Sequence, residues 1–157
     1  MKLQLLHKNP QVNLYIANVD NTFKAPYFPG GVSAGFPSPA EDHMHSKLDL
    51  NELLITHPSA TYYVRVVGDS MLEAGIVSGD LLIVDRSIEV KNNSIVVAYV
   101  DGEFTVKRFQ KIFNKVYLKP ENKQYKSIEI KKDMDFEVFG VVVHAIHHLY
   151  DWFSRLQ

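Results

Sequence analysis

Short strand patterns fill the chain from Thr61 onward, and they limit this sequence to a mainly β fold. Seven segments combine alternating or β-branched apolar residues with turn signals between them, namely 62–67, 80–84, 94–100, 103–109, 115–119, 127–130 and 137–149. Many short strands at this spacing predict a folded or closed β-sheet body.

One hairpin of this body can be placed in register. The pair Asp101-Gly102 predicts a two-residue type I′ turn. Counting outward from it, Lys107 pairs with Val96 and shares one face of the ribbon with Thr105. A lysine among small, mostly apolar neighbours can be desolvated, which lowers its pKa. The hairpin alone favours the other arrangement, in which the Lys107 ammonium reaches solvent from a strand edge.

Ser70 follows a strand pattern through the turn Gly68-Asp69-Ser70-Met71. Such a turn can expose a serine hydroxyl and direct successive backbone N–H groups at a developing oxyanion. With a desolvated lysine as proton acceptor, Ser70 would be one half of a serine-lysine nucleophile pair. The alternative is structural, with Ser70 or Asp69 capping the short segment that begins at Met71.

The first 46 residues contain five of the seven prolines and predict an extended arm without long helices or central strands. Val12, Leu14 and Ile16 alternate, so part of this arm is expected to pair as a strand. Ala34-Gly35 suits a narrow cleavage site because neither side chain obstructs approach to the Ala34 carbonyl.

A short helix is predicted within 49–57, between Asp49 and Pro58. Asp49 is its expected N-cap and Glu52 its capping-box partner. The leucines of this segment are expected to pack on the body, and they are Leu50, Leu53 and Leu54.

Composition excludes several classes of site. The 157 residues include no cysteine, so neither disulfides nor thiolate metal sites exist. The histidines, at 43, 45, 144, 147 and 148 among others, lack the carboxylate or cysteine company of a zinc site, and no phosphate-binding glycine loop occurs. We therefore expect no metal and no cofactor.

Charge and hydropathy point to a cytoplasmic protein. The net charge of -1 gives no broad reason to bind DNA. No 18-residue apolar run occurs, and the N-terminus reaches charged residues before a core of signal-peptide length. We expect neither a membrane span nor direct sequence-specific DNA binding.

Six motifs, in order and spacing, resemble the UmuD branch of the LexA/UmuD self-cleaving serine peptidases. They are 35–40 (GFPSPA), 57–62 (HPSATY), 68–71 (GDSM), 79–85 (GDLLIVD), 100–108 (VDGEFTVKR) and 138–142 (VFGVV). The resemblance implies the folded β body of that family, with short helices and an extended N-terminal arm.

The resemblance also implies the roles of the site residues. Ser70 would be the nucleophile, Lys107 the general base and then acid, and the backbone N–H groups of Asp69 and Ser70 the oxyanion hole. Ala34-Gly35 falls at the cleavage position of the family. Cleavage there would divide the chain into an arm, 1–34, and a peptidase and dimerisation domain, 35–157.

The partners implied by the resemblance belong to the bacterial SOS response to DNA damage. A RecA-single-stranded-DNA filament would stimulate self-cleavage, and the processed homodimer would join a Y-family, UmuC-like polymerase in error-prone translesion synthesis. Alternatives are a LexA-like transcriptional regulator, a signal-peptidase-like enzyme and a non-catalytic binding module. The arm is slightly longer than that of UmuD but short for a LexA DNA-binding domain, and its only lysines or arginines are Lys2, Lys8 and Lys24.

Overall fold

Strands dominate the computed structural model, which describes residues 2–8, 12–18, 23–27, 34 and 46–149. The strands are β1 (Lys2–Lys8), β2 (Val12–Asn18), β3 (Lys24–Tyr27), β4 (Ser46–Asp49), β5 (Thr61–Val66), β6 (Leu81–Asp85), β7 (Ile95–Val100), β8 (Glu103–Ile112), β9 (Lys115–Lys119), β10 (Ile128–Ile130) and β11 (Phe136–Ile146). One α-helix, α1 (Leu50–Leu54), and two 3-10 turns, Pro58–Ala60 and Leu72–Ala74, interrupt them. The mainly β prediction is confirmed.

Within the described residues, nine strands form one antiparallel sheet in the order β1-β2-β5-β6-β11-β7-β8-β9-β10, and β3 pairs with β4 separately. The long strand β11 joins β6 to β7, and its register shifts once against each of them. Such bulges bend a strand and increase its twist. The sheet therefore curls, as the predicted folded β body requires.

The curled sheet buries apolar residues on both of its faces. Neighbouring residues of β7 point to opposite sides. Val97 packs in one core with Val64, whereas Val96 packs in a second core with Leu118. Lys107 lies opposite Val96, so its side chain starts on the face of the second core.

The predicted hairpin register is confirmed. Lys107 pairs with Val96, and Val100 pairs with Glu103 across the turn. Asp101 and Gly102 both have positive φ, at 46° and 95°, as a type I′ turn requires.

One expectation for the N-terminal arm was wrong. The alternating segment forms a paired strand, β2, as predicted, but the arm was expected to hold no central strand and β2 lies inside the main sheet, between β1 and β5. Its residues contain no proline, so every N–H is free to join a ladder. The processing boundary expected after residue 34 remains a prediction.

The helix prediction was partly wrong. Asp49 is the N-cap and accepts the Asn51 N–H at 2.8 Å, but the helix ends at Leu54. Leu50 and Leu53 are 59% and 57% exposed, because this one-and-a-half-turn helix follows the small β3–β4 sheet instead of packing on the main sheet. Glu52 pairs with Lys24 of β3 at 3.3 Å and makes no capping-box bond to Asp49.

Among the described residues, no helix has both the length and the apolar character needed to cross a bilayer.

Candidate active site

Ser70 lies in a turn that leaves the end of β5. Gly68 has φ 96°, a left-handed conformation that glycine adopts without steric cost. The next residues reverse the chain, and Met71, 2% exposed, packs in the first core. The buried Met71 side chain anchors the turn in the first core, whereas the neighbouring Ser70 is only half-buried.

The structural alternative for this turn is contradicted. Met71 is the N-cap of the 3-10 turn Leu72–Ala74, and no side chain caps it. The Asp69 carboxylate accepts a hydrogen bond from the Tyr125 hydroxyl at 2.5 Å instead. Ser70 is left with its hydroxyl directed at a lysine.

Lys107 brings its amine to that hydroxyl from β8. Its Nζ donates to Ser70 Oγ at 2.8 Å, to Thr105 Oγ1 at 2.8 Å and to the Val106 carbonyl at 3.0 Å. The residue is only 7% exposed, so the alternative of an ammonium in solvent is wrong.

Burial lowers the pKa of Lys107 to about 8, from an ordinary value of 10.5. The cause is desolvation, which disfavours the charged ammonium. At pH 7 about a tenth of the molecules then carry a neutral amine, compared with fewer than about one in a thousand for an ordinary lysine. A neutral amine 2.8 Å from a hydroxyl can accept its proton.

The backbone of the turn offers unused donors beside the hydroxyl. Among the described residues, neither the Asp69 N–H nor the Ser70 N–H has a hydrogen-bond acceptor. Both residues line a cleft of about 550 Å³, whose other walls include Val67, Thr105 and Ile128. Two free N–H groups in a partly apolar cleft suit an oxyanion next to a nucleophile.

The loop after β9 contributes residues that sequence reasoning missed. Asn122 donates from Nδ2 to the Asp69 carbonyl at 2.9 Å, and the Glu121 N–H donates to the Ser70 carbonyl at 2.9 Å. No sequence pattern relates this loop to a turn more than 50 residues earlier. Thr105 was assigned to the correct face by alternation, but its hydrogen bond to Lys107 was not foreseen.

Of the proposed cleavage site, Ala34 is among the described residues. Ala34 is exposed in a bend and, within the described residues, makes no hydrogen bond with Ser70 or Lys107. Gly35 lies outside the described residues. Its role with Ala34 therefore stays a prediction.

His57 and His147, two of the histidines within the described residues, each contact a carboxylate. His57 contacts Asp85 at 2.7 Å, and His147 contacts Asp80 at 2.8 Å. No group of three or more potential metal ligands occurs among these residues, and His43 and His45 lie outside them.

Comparisons with known proteins give a family match and several similar proteins. A family model described as "Peptidase S24-like" matches residues 26–143. Protein SamA of Salmonella typhimurium is 45% identical over 123 residues, which cover 78% of this chain and 85% of the relative. Protein MucA of Escherichia coli is 43% identical over 122 residues, 77% of this chain and 83% of the relative. A LexA repressor of Hahella chejuensis is 44% identical over 117 residues, but these cover only 58% of that longer protein.

Proposed function

This chain is a UmuD-like member of the Peptidase S24-like family, a family of serine peptidases, and we propose that it cuts its own Ala34–Gly35 bond. The observation that carries the proposal is the 2.8 Å contact between Ser70 Oγ and the Lys107 amine, whose pKa burial lowers to about 8. A hydroxyl has little nucleophilicity unless a base takes its proton, and a buried lysine is such a base.

In the first step, neutral Lys107 accepts the Ser70 proton while Oγ attacks the Ala34 carbonyl carbon. The negative charge that develops on the carbonyl oxygen is stabilised by the N–H groups of Asp69 and Ser70. The Lys107 ammonium then gives its proton to the Gly35 nitrogen, and the peptide C–N bond breaks. An ester joins Ala34 to Ser70.

In the second step, water hydrolyses this ester. Lys107, again neutral, takes one proton from the water, and the resulting hydroxide displaces Ser70 Oγ, which regains the proton. The products are residues 1–34 with a free carboxylate and residues 35–157 with a free amine. Thr105 assists both steps, because its hydroxyl holds the lysine Nζ in place.

The cellular role proposed for the cleavage follows from family membership. A RecA-single-stranded-DNA filament would stimulate the reaction in the cytoplasm by docking the Ala34–Gly35 part of the arm in the cleft. Docking places the scissile bond next to Ser70 and expels water from around Lys107. Neither effect requires a catalytic group from the filament. The processed form, a homodimer, would join a Y-family, UmuC-like polymerase for translesion synthesis.

N-terminal sequencing of the processed protein tests the site, the activity and the stimulation together. Full-length protein is incubated with RecA, single-stranded DNA and ATP, and separately alone at alkaline pH; the expected product begins at Gly35. Ser70→Ala and Lys107→Ala should abolish the product. Matched changes at the exposed residues Ser59 and Lys91, Ser59→Ala and Lys91→Ala, should not. Intact wild-type protein under both conditions would contradict the proposal.

A repressor function is the second candidate, because a LexA repressor is among the relatives. It requires an operator-binding element, and in this chain residues 2–8 and 12–18 pair as strands of the main sheet. A gel shift with DNA across a salt series separates the candidates. Salt-sensitive, sequence-selective binding favours the repressor.

A further inference from the structure

The 120–125 loop is fastened to the nucleophile turn at several points. The Asn122 side chain holds the Asp69 carbonyl at 2.9 Å, and the Tyr125 hydroxyl holds the Asp69 carboxylate at 2.5 Å. The backbone of Glu121 accepts the Glu73 N–H at 2.7 Å. The loop is itself tight, because Asn122 also accepts N–H groups from Gln124 and Tyr125.

The Asn122 contact has a specific geometric effect on the oxyanion donors. The Asp69 carbonyl and the Ser70 N–H belong to one planar trans peptide, so they point in opposite directions. Holding the carbonyl oxygen therefore also fixes the direction of the N–H of Ser70, a residue that lines the cleft. The Leu72 N–H reaches the same oxygen at 3.2 Å, which leaves Asn122 as the shorter of the two anchors.

The loop also reaches the strand that carries the lysine. Arg108, next to Lys107, donates from Nε to the Glu121 carboxylate at 2.5 Å and from a guanidinium nitrogen to the Asn93 carbonyl at 2.7 Å. Both partners of the Arg108–Glu121 pair are partly buried. One loop thus touches both the serine turn and the lysine strand.

Tyr125 is suited to be a donor rather than an acceptor. Its hydrogen bond to Asp69 raises the pKa of the phenol, so the hydroxyl keeps its proton over the pH range in which Lys107 loses its own. Tyr125 is 45% exposed, and its hydroxyl bonds Asp69 of the turn.

We propose that Asn122 and Tyr125 are positioning residues that fix the Asp69–Ser70 peptide as the oxyanion-binding element. This inference rests on the proposed self-cleavage. Neither residue touches the scissile bond; both act through the turn. Loss of the Asn122 donor should lower the cleavage rate about 10- to 100-fold, somewhat less than the loss of a direct oxyanion donor. Loss of the Tyr125 hydroxyl should cost less, because it holds only the Asp69 side chain.

The test measures the rate of self-cleavage between pH 6 and pH 10 for full-length protein. Asn122→Ala removes the donor, and Asn122→Asp removes it while keeping the shape and adding a charge. Tyr125→Phe removes only the hydroxyl. Controls are Asn114→Ala and Asn114→Asp in the exposed β8–β9 turn, and Tyr117→Phe on β9.

The expected result is a lower rate plateau for both Asn122 variants, with the midpoint of the pH profile unchanged near the pKa of Lys107. Controls should follow the wild type. A slow Asn122→Asp beside a normal Asn122→Ala would assign the effect to charge and overturn the proposal. A shifted midpoint, or unfolding of a variant near the assay temperature, would show a general structural role and also overturn it.

Failure of this proposal is distinguishable from failure of the proposed function. Wild-type protein that releases no 35–157 fragment refutes self-cleavage itself. Wild-type cleavage together with unimpaired Asn122 variants leaves self-cleavage intact and removes only the positioning role.

Discussion

Replacing Lys107 by methionine isolates the free energy required to bury an ammonium group at the site. The comparison is made in a Ser70→Ala background, so that neither protein cuts itself during the measurement. Methionine has a similar length and no charge. Thr105 and the Val106 carbonyl remain as the hydrogen-bond partners of Nζ in the reference protein.

The magnitude follows from the pKa of Lys107. Each pKa unit corresponds to about 1.4 kcal/mol, so the fall from 10.5 to about 8 corresponds to about 3 kcal/mol of destabilisation when the lysine is charged. Below pH 8 both folded and unfolded states are protonated and this full cost is present. Between pH 8 and pH 10.5 the unfolded state binds more protons, so the stability of the lysine protein rises with pH.

The difference in free energy of unfolding between the two proteins should change with pH. From pH 7 to pH 10 the free energy of unfolding of the lysine protein should rise by about 2 to 3 kcal/mol relative to the methionine variant. Methionine cannot make the hydrogen bonds of Lys107. Their loss changes the difference in free energy of unfolding by the same amount at every pH, so it does not affect the pH dependence. Titrations elsewhere in the chain cancel.

Urea denaturation followed by circular dichroism at pH 7, 8, 9 and 10 measures these free energies. Lys91→Met in the same background is the matched control, because Lys91 is exposed and its difference should stay flat. Parallel curves for the Lys107 pair, within about 0.5 kcal/mol from pH 7 to pH 10, would refute the assignment of a lowered pKa to Lys107.

Three further changes are expected to affect stability. Gly140→Ala should destabilise the fold by about 1 to 3 kcal/mol in urea denaturation, since a Cβ there would lie 2.8 Å from Val84 Cγ1; an unchanged midpoint would contradict this packing. Asp49→Ala should cost about 0.5 to 2 kcal/mol by the same assay because it removes the cap of α1, and a neutral result would show the cap to be unimportant. Burial tends to raise the pKa of Asp85, but hydrogen bonds from Ser87 and His57 outweigh it and lower that pKa; Asp85→Asn should therefore lose more stability at pH 7 than at pH 3, and an equal loss at both would contradict it.

The hairpin around Asp101-Gly102 was predictable because its turn chemistry is local. Two residues with positive φ fix the register of β7 against β8, and alternation then assigns every side chain to a face. The burial of Lys107 was not predictable in this way. It depends on the second core, to which the distant strands β9 and β11 contribute Leu118 and Val141.

Long-range contacts explain the other differences between sequence and structure. Periodicity indicated that Leu50 and Leu53 would be buried, but the position of α1 is set by the β3–β4 pairing. The hydrogen bonds that Asn122 and Tyr125 donate to Asp69 join segments more than 50 residues apart. Only the fold brings such residues together.

The position of β2 determines what a cut after residue 34 would do to the main sheet. In the intact chain β2 covers one side of β5, with Val12 opposite Val66 and Ile16 opposite Tyr62. A cut removes the covalent link but leaves this ladder of backbone hydrogen bonds in place. If the fragment then departed, β5 would become an edge strand, and an edge strand is a template for another extended chain. Proteolysis of one bond would thus create a strand-binding surface that ends at the nucleophile turn itself.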